Sequence, residues 1–363
     1  MFRIDMLPAA QGDALWIEYG DENAPKRILI DGGTKGSFDE GLHARIQALP
    51  PDERKFELLV VTHIDADHID GALKLLQDET LEAKFGDVWF NGFRHLPETL
   101  EPLGPVAGEL LTDAIVARGL PWNDSFGGDA VVVPAAGALP RIDLADDLAI
   151  TVLGPGLEQL FELRPEWEDA IVEAGLDPEQ PLPEPEEEEE EPAEGLERLG
   201  ARPNIAALAA SAFTEDDAPP NGSSIVLLLE HDGKSALLTA DAFPSVVLAG
   251  VNRLVVERGV ARLAVDAFKV PHHGSRFNLS PALSAALDCK DFLFSSNGKQ
   301  TEHPHLESVA RTILAAGQDS TLFFNYSTTF NEPWADDVLE SQNSYAAVYP
   351  DAGVVGLAVP IGG

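Results

Sequence analysis

Two histidines and two aspartates fall within six residues in His63-Ile64-Asp65-Ala66-Asp67-His68. Imidazole nitrogens and carboxylate oxygens delivered together suit borderline and hard divalent cations. The run follows Glu57-Leu58-Leu59-Val60-Val61, an apolar stretch of strand length, so the donors sit where a buried strand should end. The ordinary alternative is a strand-to-helix turn in which Asp67 or Asp70 caps the next helix. A single His-x-Asp would be read that way. The doubled pattern at a strand end reads as a metal-binding loop, because context confirms such a motif.

Two further polar clusters stand at the ends of apolar runs. Leu238 leads into Thr239-Ala240-Asp241, and Leu263 to Val270 leads into Pro271-His272-His273-Gly274-Ser275. Strand carboxyl ends on one sheet edge can converge, and α/β folds tend to place chemistry there. His63, Asp65, Asp67, His68, Asp241 and one of His272 or His273 form a set without thiolate. A closed structural zinc site would use several cysteines, and this chain has only Cys289. The set suits two cations, bridged by a carboxylate, that activate water and clamp a leaving oxygen.

The elements that must position these residues are legible in outline. Phe2 to Leu7, Ala14 to Tyr19 and Arg27 to Asp31 read as strands, with Gln11-Gly12-Asp13 as a tight turn between the first two. Asp31 precedes Gly32-Gly33, either as a turn residue or as a carboxylate supporting the ligand loop. Helices are expected over Phe38 to Leu49, Ile69 to Gln77, within Leu103 to Leu120, and over Pro244 to Glu257 and Pro281 to Leu287. Strands are expected at Val88 to Phe90, Val131 to Val133, Leu148 to Leu153, Phe292 to Ser295 and Leu322 to Phe324. Ile225 to Leu229 and Ala236 to Leu238 predict a hairpin around Asp232-Gly233, and Tyr345 to Pro360 a final hairpin. His95, a lone histidine beside aromatic residues, reads as structural, with pocket lining as the alternative.

The chain has 363 residues, 44% of them hydrophobic, which suffices for a sizeable core. With 62 acidic and 24 basic residues the net charge is -38. That field repels nucleic-acid phosphates at long range, so no broad DNA-binding face is expected, although bound metals can invert the sign locally. One cysteine forbids an intramolecular disulfide and fits a reducing compartment. Met1 to Ala10 lacks the basic-then-apolar pattern of a signal peptide, and no stretch approaches the ~18 apolar residues of a membrane span. These features predict a cytoplasmic protein with no membrane partner. Residues 177–196 hold Glu184 and the run Glu186 to Glu191. Like charges at that density predict a solvated, mobile insertion, here within one domain spanning 1–363. A basic partner for the run is the alternative.

Taken together, the motifs resemble the metallo-β-lactamase superfamily, and within it the hydrolase domain of ComEC-type DNA-uptake proteins and its stand-alone relatives. Five segments carry the resemblance, in order: His63 to His68, Asn221-Gly222-Ser223-Ser224, Leu238-Thr239-Ala240-Asp241, Val270 to Ser275, and Asn297 with His303-Pro304. Asp31 matches the first acidic motif. The resemblance implies an α/β fold, a four-layer αββα sandwich. It implies one or two divalent ions, zinc or manganese, with His63 and Asp65 on the first, Asp67, His68 and a histidine of the pair on the second, and Asp241 bridging. His272, nearer the strand end, is favoured as that ligand. His273 then faces the substrate or supports the site, His303 donates to substrate, Ser275 and Asn297 bind an anionic oxygen, and Asp31 orients the ligand loop.

Three departures from the commoner pattern bear on the chemistry. Asp65 stands where a histidine is usual, Asp70-Gly71 replaces Gly-Gly, and the third-motif histidine is not evident, since only His95 and His231 lie between His68 and Asp241. Carboxylate for imidazole shifts the first position toward manganese. The resemblance implies metal-dependent hydrolysis by a metal-bound hydroxide, with Asp67 moving a proton, on a small anionic phosphodiester or a nucleic-acid end. An ester, lactone or amide hydrolase is the alternative on the same metals, and a non-catalytic binding module is the alternative of a different class. A diiron oxidoreductase is disfavoured, because that branch uses Glu in its ligand motif and no flavin domain follows.

Overall fold

A computed structural model describes residues 1–97, 106–164 and 202–362. The acidic run at 177–196 lies outside them. Two sheets carry the chain. The first contains β1 (Phe2–Met6), β2 (Leu15–Tyr19), β3 (Lys26–Ile30), β4 (Leu58–Val60) and β5 (Val88–Trp89). The second contains β6 (Arg141–Asp143), β7 (Ala149–Gly154), β8 (Val226–His231), β9 (Lys234–Leu238), β10 (Ala267–Lys269), β11 (Asp291–Phe294), β12 (Ser320–Phe324) and β13 (Tyr345–Val348). The last strand, β14 (Leu357–Pro360), returns to the first sheet beside β1, giving the orders β14-β1-β2-β3-β4-β5 and β13-β12-β11-β10-β9-β8-β7-β6.

Alternation along the strands shows why the sheets stack. Ile28 and Ile30 of β3, and Leu58 and Val60 of β4, enter a core shared with Leu237, Phe268 and Phe292 of the second sheet. Leu29, Leu59 and Val61 point the other way, into a second core. That core is completed by Ile69, Ala72, Leu73 and Leu76 of α1 (Ala66–Gln77) and by Leu111 and Ile115 of α2 (Val106–Ala117). Opposite faces of one strand thus serve two cores, which a period of two permits. On the far side, α3 (Pro244–Arg258) contributes Val247, Val251 and Leu254, and α4 (Leu306–Ala316) contributes Val309, Ala310 and Ile313. The layers run helix, sheet, sheet, helix: the αββα sandwich implied by the motifs.

Parallel pairing places the candidate residues. β3 and β4 are parallel, as are β9, β10 and β11 in succession, so the connections that leave their carboxyl ends lie along common edges. Ile225 N–H donates to Thr62 O at 3.1 Å, joining the edge of one sheet to the other. The β8–β9 hairpin closes through Asp232 and Gly233, both left-handed at φ 50° and 73°, in the two-residue turn the Asp-Gly pair predicts.

Two expected elements differ. Tyr345 to Pro360 is not a hairpin: β13 is the edge strand of the second sheet, parallel to β12, while β14 crosses to pair antiparallel with β1. Both halves look like strands locally, but their partners are remote in sequence. Val131 to Val133 forms no strand either, making one bridge from Val133 to Gly156. Asn91 instead holds Val131 at both its N–H and its C=O.

The ligand loop is seated by a close approach of backbones. Gly32 N–H donates to His68 O and Gly71 N–H to Gly33 O, at 2.9 and 3.0 Å. A Cβ on Gly32 would lie 2.0 Å from Ala72 N, and one on Gly71 1.9 Å from Gly32 O. Alanine in a free helix would gain about 1 kcal/mol over glycine, but this overlap with backbone dominates. Gly71→Ala should lose about 3 kcal/mol or more of unfolding free energy in urea titration. Gly36→Ala, whose Cβ would meet nothing nearer than 4.0 Å, should stay within about 0.5 kcal/mol of the parent.

Candidate metal centre

The site is assembled from the ends of β4, β9 and β10 and from the loop between β1 and β2. Past β4, the chain runs through Thr62 and His63 into α1, with Asp65 at the cap position. The Asp65 side chain makes no capping hydrogen bond, which argues against a purely structural turn. Asp241 follows β9, and His272 and His273 follow β10. Both histidines are left-handed, at φ 49° and 53°, a conformation that costs of order 1–3 kcal/mol per residue and clusters at functional sites.

Asp241 is the centre. His68 Nε2 lies 3.4 Å, His273 Nε2 3.4 Å and His272 Nε2 3.6 Å from Asp241 Oδ2. His68 Nε2 and His273 Nε2 are 3.3 Å apart, and Asp67 Oδ2 lies 3.5 Å from His273 Nε2. The His63 ring lies against that of His68, tilted by 49° with centroids 4.2 Å apart, and its Nε2 is 3.6 Å from Asp65 Oδ2. Asp13, His68, Asp241 and His273 form a wholly buried group whose donor atoms all lie within 4.8 Å of one another.

Each imidazole is held from behind. Asp31 Oδ2 lies 2.8 Å from His68 Nδ1. The Asp31 carboxylate also accepts Thr62 N–H at 2.8 Å and Thr62 Oγ1–H at 2.7 Å, and Thr62 Oγ1 in turn meets His63 Nδ1 at 3.0 Å. Asp216 Oδ2 lies 3.3 Å and Asn278 Oδ1 3.0 Å from His272 Nδ1. Asp13 Oδ1 lies 3.4 Å from His273 Nδ1. With every Nδ1 facing an oxygen, the four Nε2 atoms are left to face inward.

The electrostatics follow. Burial resists ionisation of Asp241, yet His273, His68 and His272 hold it well below the usual carboxylate range. Burial likewise opposes protonation of His68 and His273, but Asp241 and its fellow carboxylates hold both well above the usual imidazole value. Asp67, against its burial, is drawn to about 2 by His68 and His273. The carboxylates demand positive charge at this point, which a divalent cation would supply in place of the imidazole protons. The donor set fits: Nε2 of His63 and Oδ1 of Asp241 are buried with no hydrogen-bond partner, and nitrogen and oxygen donors are mixed as such ions require. Asp65, Asp67 and His272 have side chains 39%, 23% and 25% exposed, so the centre opens to solvent on their side.

The remaining candidates take different places. His303 is buried beside His272, ring centroids 5.2 Å apart, and its Nδ1 has no partner. Burial, then the neighbouring histidines, hold it well below the usual imidazole value. Ser275 Oγ accepts Phe277 N–H and Asn297 Oδ1 accepts Lys299 N–H, so each spends its oxygen within its own loop and keeps a donor. His272 is the expected ligand, being nearer the strand end, but it is His273 that enters the compact buried group, with His272 at its exposed flank. Asp13, Asp216 and Lys269 join the site without belonging to any of its motifs. The β1–β2 turn is present, but it turns Asp13 inward. Gly12 permits this, since a Cβ there would fall 1.7 Å from Asp67 O.

Neither candidate for the absent third-motif histidine joins the group. His231 packs against Phe2 and Tyr19. His95 meets Trp122 edge-on at 4.8 Å and accepts Gly92 N–H at 3.1 Å, the structural role.

The fold and site define an αββα protein with a candidate metal centre at its strand ends. Among solved structures the chain is similar to CmlA, a diiron beta-hydroxylase from Streptomyces venezuelae, at 12% identity and a TM-score of 0.41, covering 98% of this chain and 54% of that one. A mutant of CmlA beta-hydroxylase is similar at 12% identity and a TM-score of 0.39, with 98% and 53% covered. The chain spans about half the length of these proteins. No protein-family model matches the chain, and no curated protein matches it in sequence.

His95 supplies a pH test outside the centre. Burial, then the Arg94 guanidinium, hold its imidazole down at about 4. Below the ordinary value near 6.5 the unfolded chain takes up a proton that the folded chain refuses, so this contribution is intact above that pH and lost toward about 4. His95→Gln should therefore show a shallower fall in melting temperature than the parent between those limits. Parallel curves would contradict the assignment.

Proposed function

We propose that this chain is a metal-dependent hydrolase acting on a small phosphodiester or nucleotide-like anion. The convergence of the Nε2 atoms of His68, His272 and His273 on the buried Asp241 carries the reading. The ComEC-like order of the motifs supports the phosphodiester class, and the net charge of -38 favours a small substrate or strand end over long duplex.

Asp67, His68, Asp241 and His273 would hold one ion, and His63, Asp65 and Asp241 a second. When bound, zinc or manganese would supply Lewis acidity and lower the pKa of a water at the site. The chain's own residues do the rest. Asp31 and Asp13 keep His68 and His273 oriented. Asp67, partly exposed between the ligands and solvent, is the group placed to move a proton. His272, with His303 behind it, faces the open side and would contact the substrate. Ser275 and Asn297 retain donors for an anionic oxygen.

Elemental analysis of the purified protein for zinc, manganese and iron, followed by turnover of bis(p-nitrophenyl) phosphate, tests this reading. Bound divalent metal is expected, with activity lost at least about 100-fold in Asp67→Ala and in Asp241→Asn while far-UV circular dichroism is unchanged. Metal-replete protein that turns over a lactone but no phosphodiester would overturn the substrate class. Protein that binds no metal and shows no metal-induced shift in melting temperature would overturn the enzyme and favour a binding module.

A further inference from the structure

We propose that the buried pair Asp13–Lys269 is a positioning device that commits His273 Nε2 to the metal; this rests on the ligand role given to His273 above. Lys269, the last residue of β10, is fully buried, and its Nζ lies 2.9 Å from Asp13 Oδ2. A buried ammonium is retained only with a close counter-charge. The other carboxylate oxygen of Asp13 accepts Ser295 Oγ–H and faces His273 Nδ1 at 3.4 Å. On the far side of the same ring, Nε2 faces Asp241 at 3.4 Å and Asp67 at 3.5 Å.

Proximity alone would make Asp13 a fourth ligand. Its partners point elsewhere: both oxygens are already engaged, and they meet the imidazole at the nitrogen turned away from Asp241. An orienting carboxylate on the distal nitrogen is how proteins fix the tautomer of a metal-binding histidine.

The ammonium explains how a further carboxylate is tolerated here. Asp67 and Asp241 already bring negative charge to the centre, and Lys269 offsets that of Asp13. Asp31 and Asp216 use other means. Asp31 accepts from Thr62, and Asp216 accepts Asn221 Nδ2–H at 2.6 Å and Asn278 Nδ2–H at 2.8 Å. The device also ties the layers together. Asp13 comes from the β1–β2 loop of the first sheet, Lys269 from the end of β10 and Ser295 from just past the adjacent β11 of the second. Ala10 C=O accepts Asn297 N–H at 2.8 Å, and Ala10 N–H donates to Tyr326 Oη at 2.9 Å, pinning the same loop.

The test is a double substitution read by two quantities: melting temperature of the apo protein, and zinc affinity by competition with a chromophoric chelator. Asp13→Leu and Lys269→Met should each weaken zinc binding about 10–100-fold. Lys269→Met should also lower the apo melting temperature, because it strands a buried carboxylate. The double variant Asp13→Leu/Lys269→Met, apolar and similar in volume, should regain the apo melting temperature while zinc binding stays weak. Parental zinc affinity in the double variant would show a merely structural pair and overturn the proposal. Total loss of zinc in Asp13→Leu with no change in Lys269→Met would overturn it in favour of direct ligation. Should the variants not fold, nitrogen-15 resonances of His273 in the zinc-loaded parent decide: Nδ1 protonated supports the device, Nε2 protonated overturns it. Failure of the parent to bind zinc or any other divalent ion would instead sink the metal reading itself.

Discussion

The structure turns on how imidazole rings are held, more than on how many there are. A neutral imidazole has one donor and one acceptor nitrogen, and a partner at one decides what the other presents. Around Asp241, His68 is backed by Asp31, His272 by Asp216, His273 by Asp13, and His63 by the Thr62 hydroxyl. Three of the rings therefore aim the same atom, Nε2, at Asp241, and the fourth, His63, lies against His68 with its Nε2 toward Asp65. Buried carboxylate and imidazole without that ordering would be a desolvation cost with little return.

Fold and site depend on each other through short connections at strand ends. The sandwich lets β4 of one sheet and β9 and β10 of the other end near the same place, and the first core lies beneath them. The backbone contact of Gly32 with Gly71 seats the start of α1, so His68 is fixed by main-chain geometry as well as by Asp31. Consecutive left-handed residues at His272 and His273 set the two rings nearly perpendicular, at 81°, with both Nε2 atoms toward Asp241 Oδ2. The resulting strain sits where the surrounding packing can hold it.

Much of this was legible in the chain itself. The His63 to His68 pattern, Asp241 and the His-His pair mark strand ends through local apolar runs, and the layered fold was implied by the family resemblance those motifs carry. Asp31 was readable as support because it stands at a strand end before two glycines. Asp13 and Asp216 were not, because a single aspartate in a turn has an ordinary local explanation, and the partners that give them a role, Lys269 and Ser295 for Asp13 and His272 and Asn278 for Asp216, lie well beyond local range. Lys269 did leave a signal: a lysine inside Ala267-Phe268-Lys269-Val270 has no business in a buried strand unless something pairs with it. The choice between His272 and His273 was beyond pattern, since it depends on backbone dihedrals that adjacent identical residues do not announce. The path of β14 was hidden for a related reason, its partner β1 being at the opposite end of the chain.

Crystals of the metal-loaded protein, with anomalous diffraction collected at the metal edge, test the central claim most directly. The ordering of the rings predicts a cation bonded to Nε2 of His68 and of His273 and to the Asp241 carboxylate, with both Nδ1 atoms still on Asp31 and Asp13. A cation bonded through Nδ1 of either ring, or one held only by exposed carboxylates away from Asp241, would contradict it.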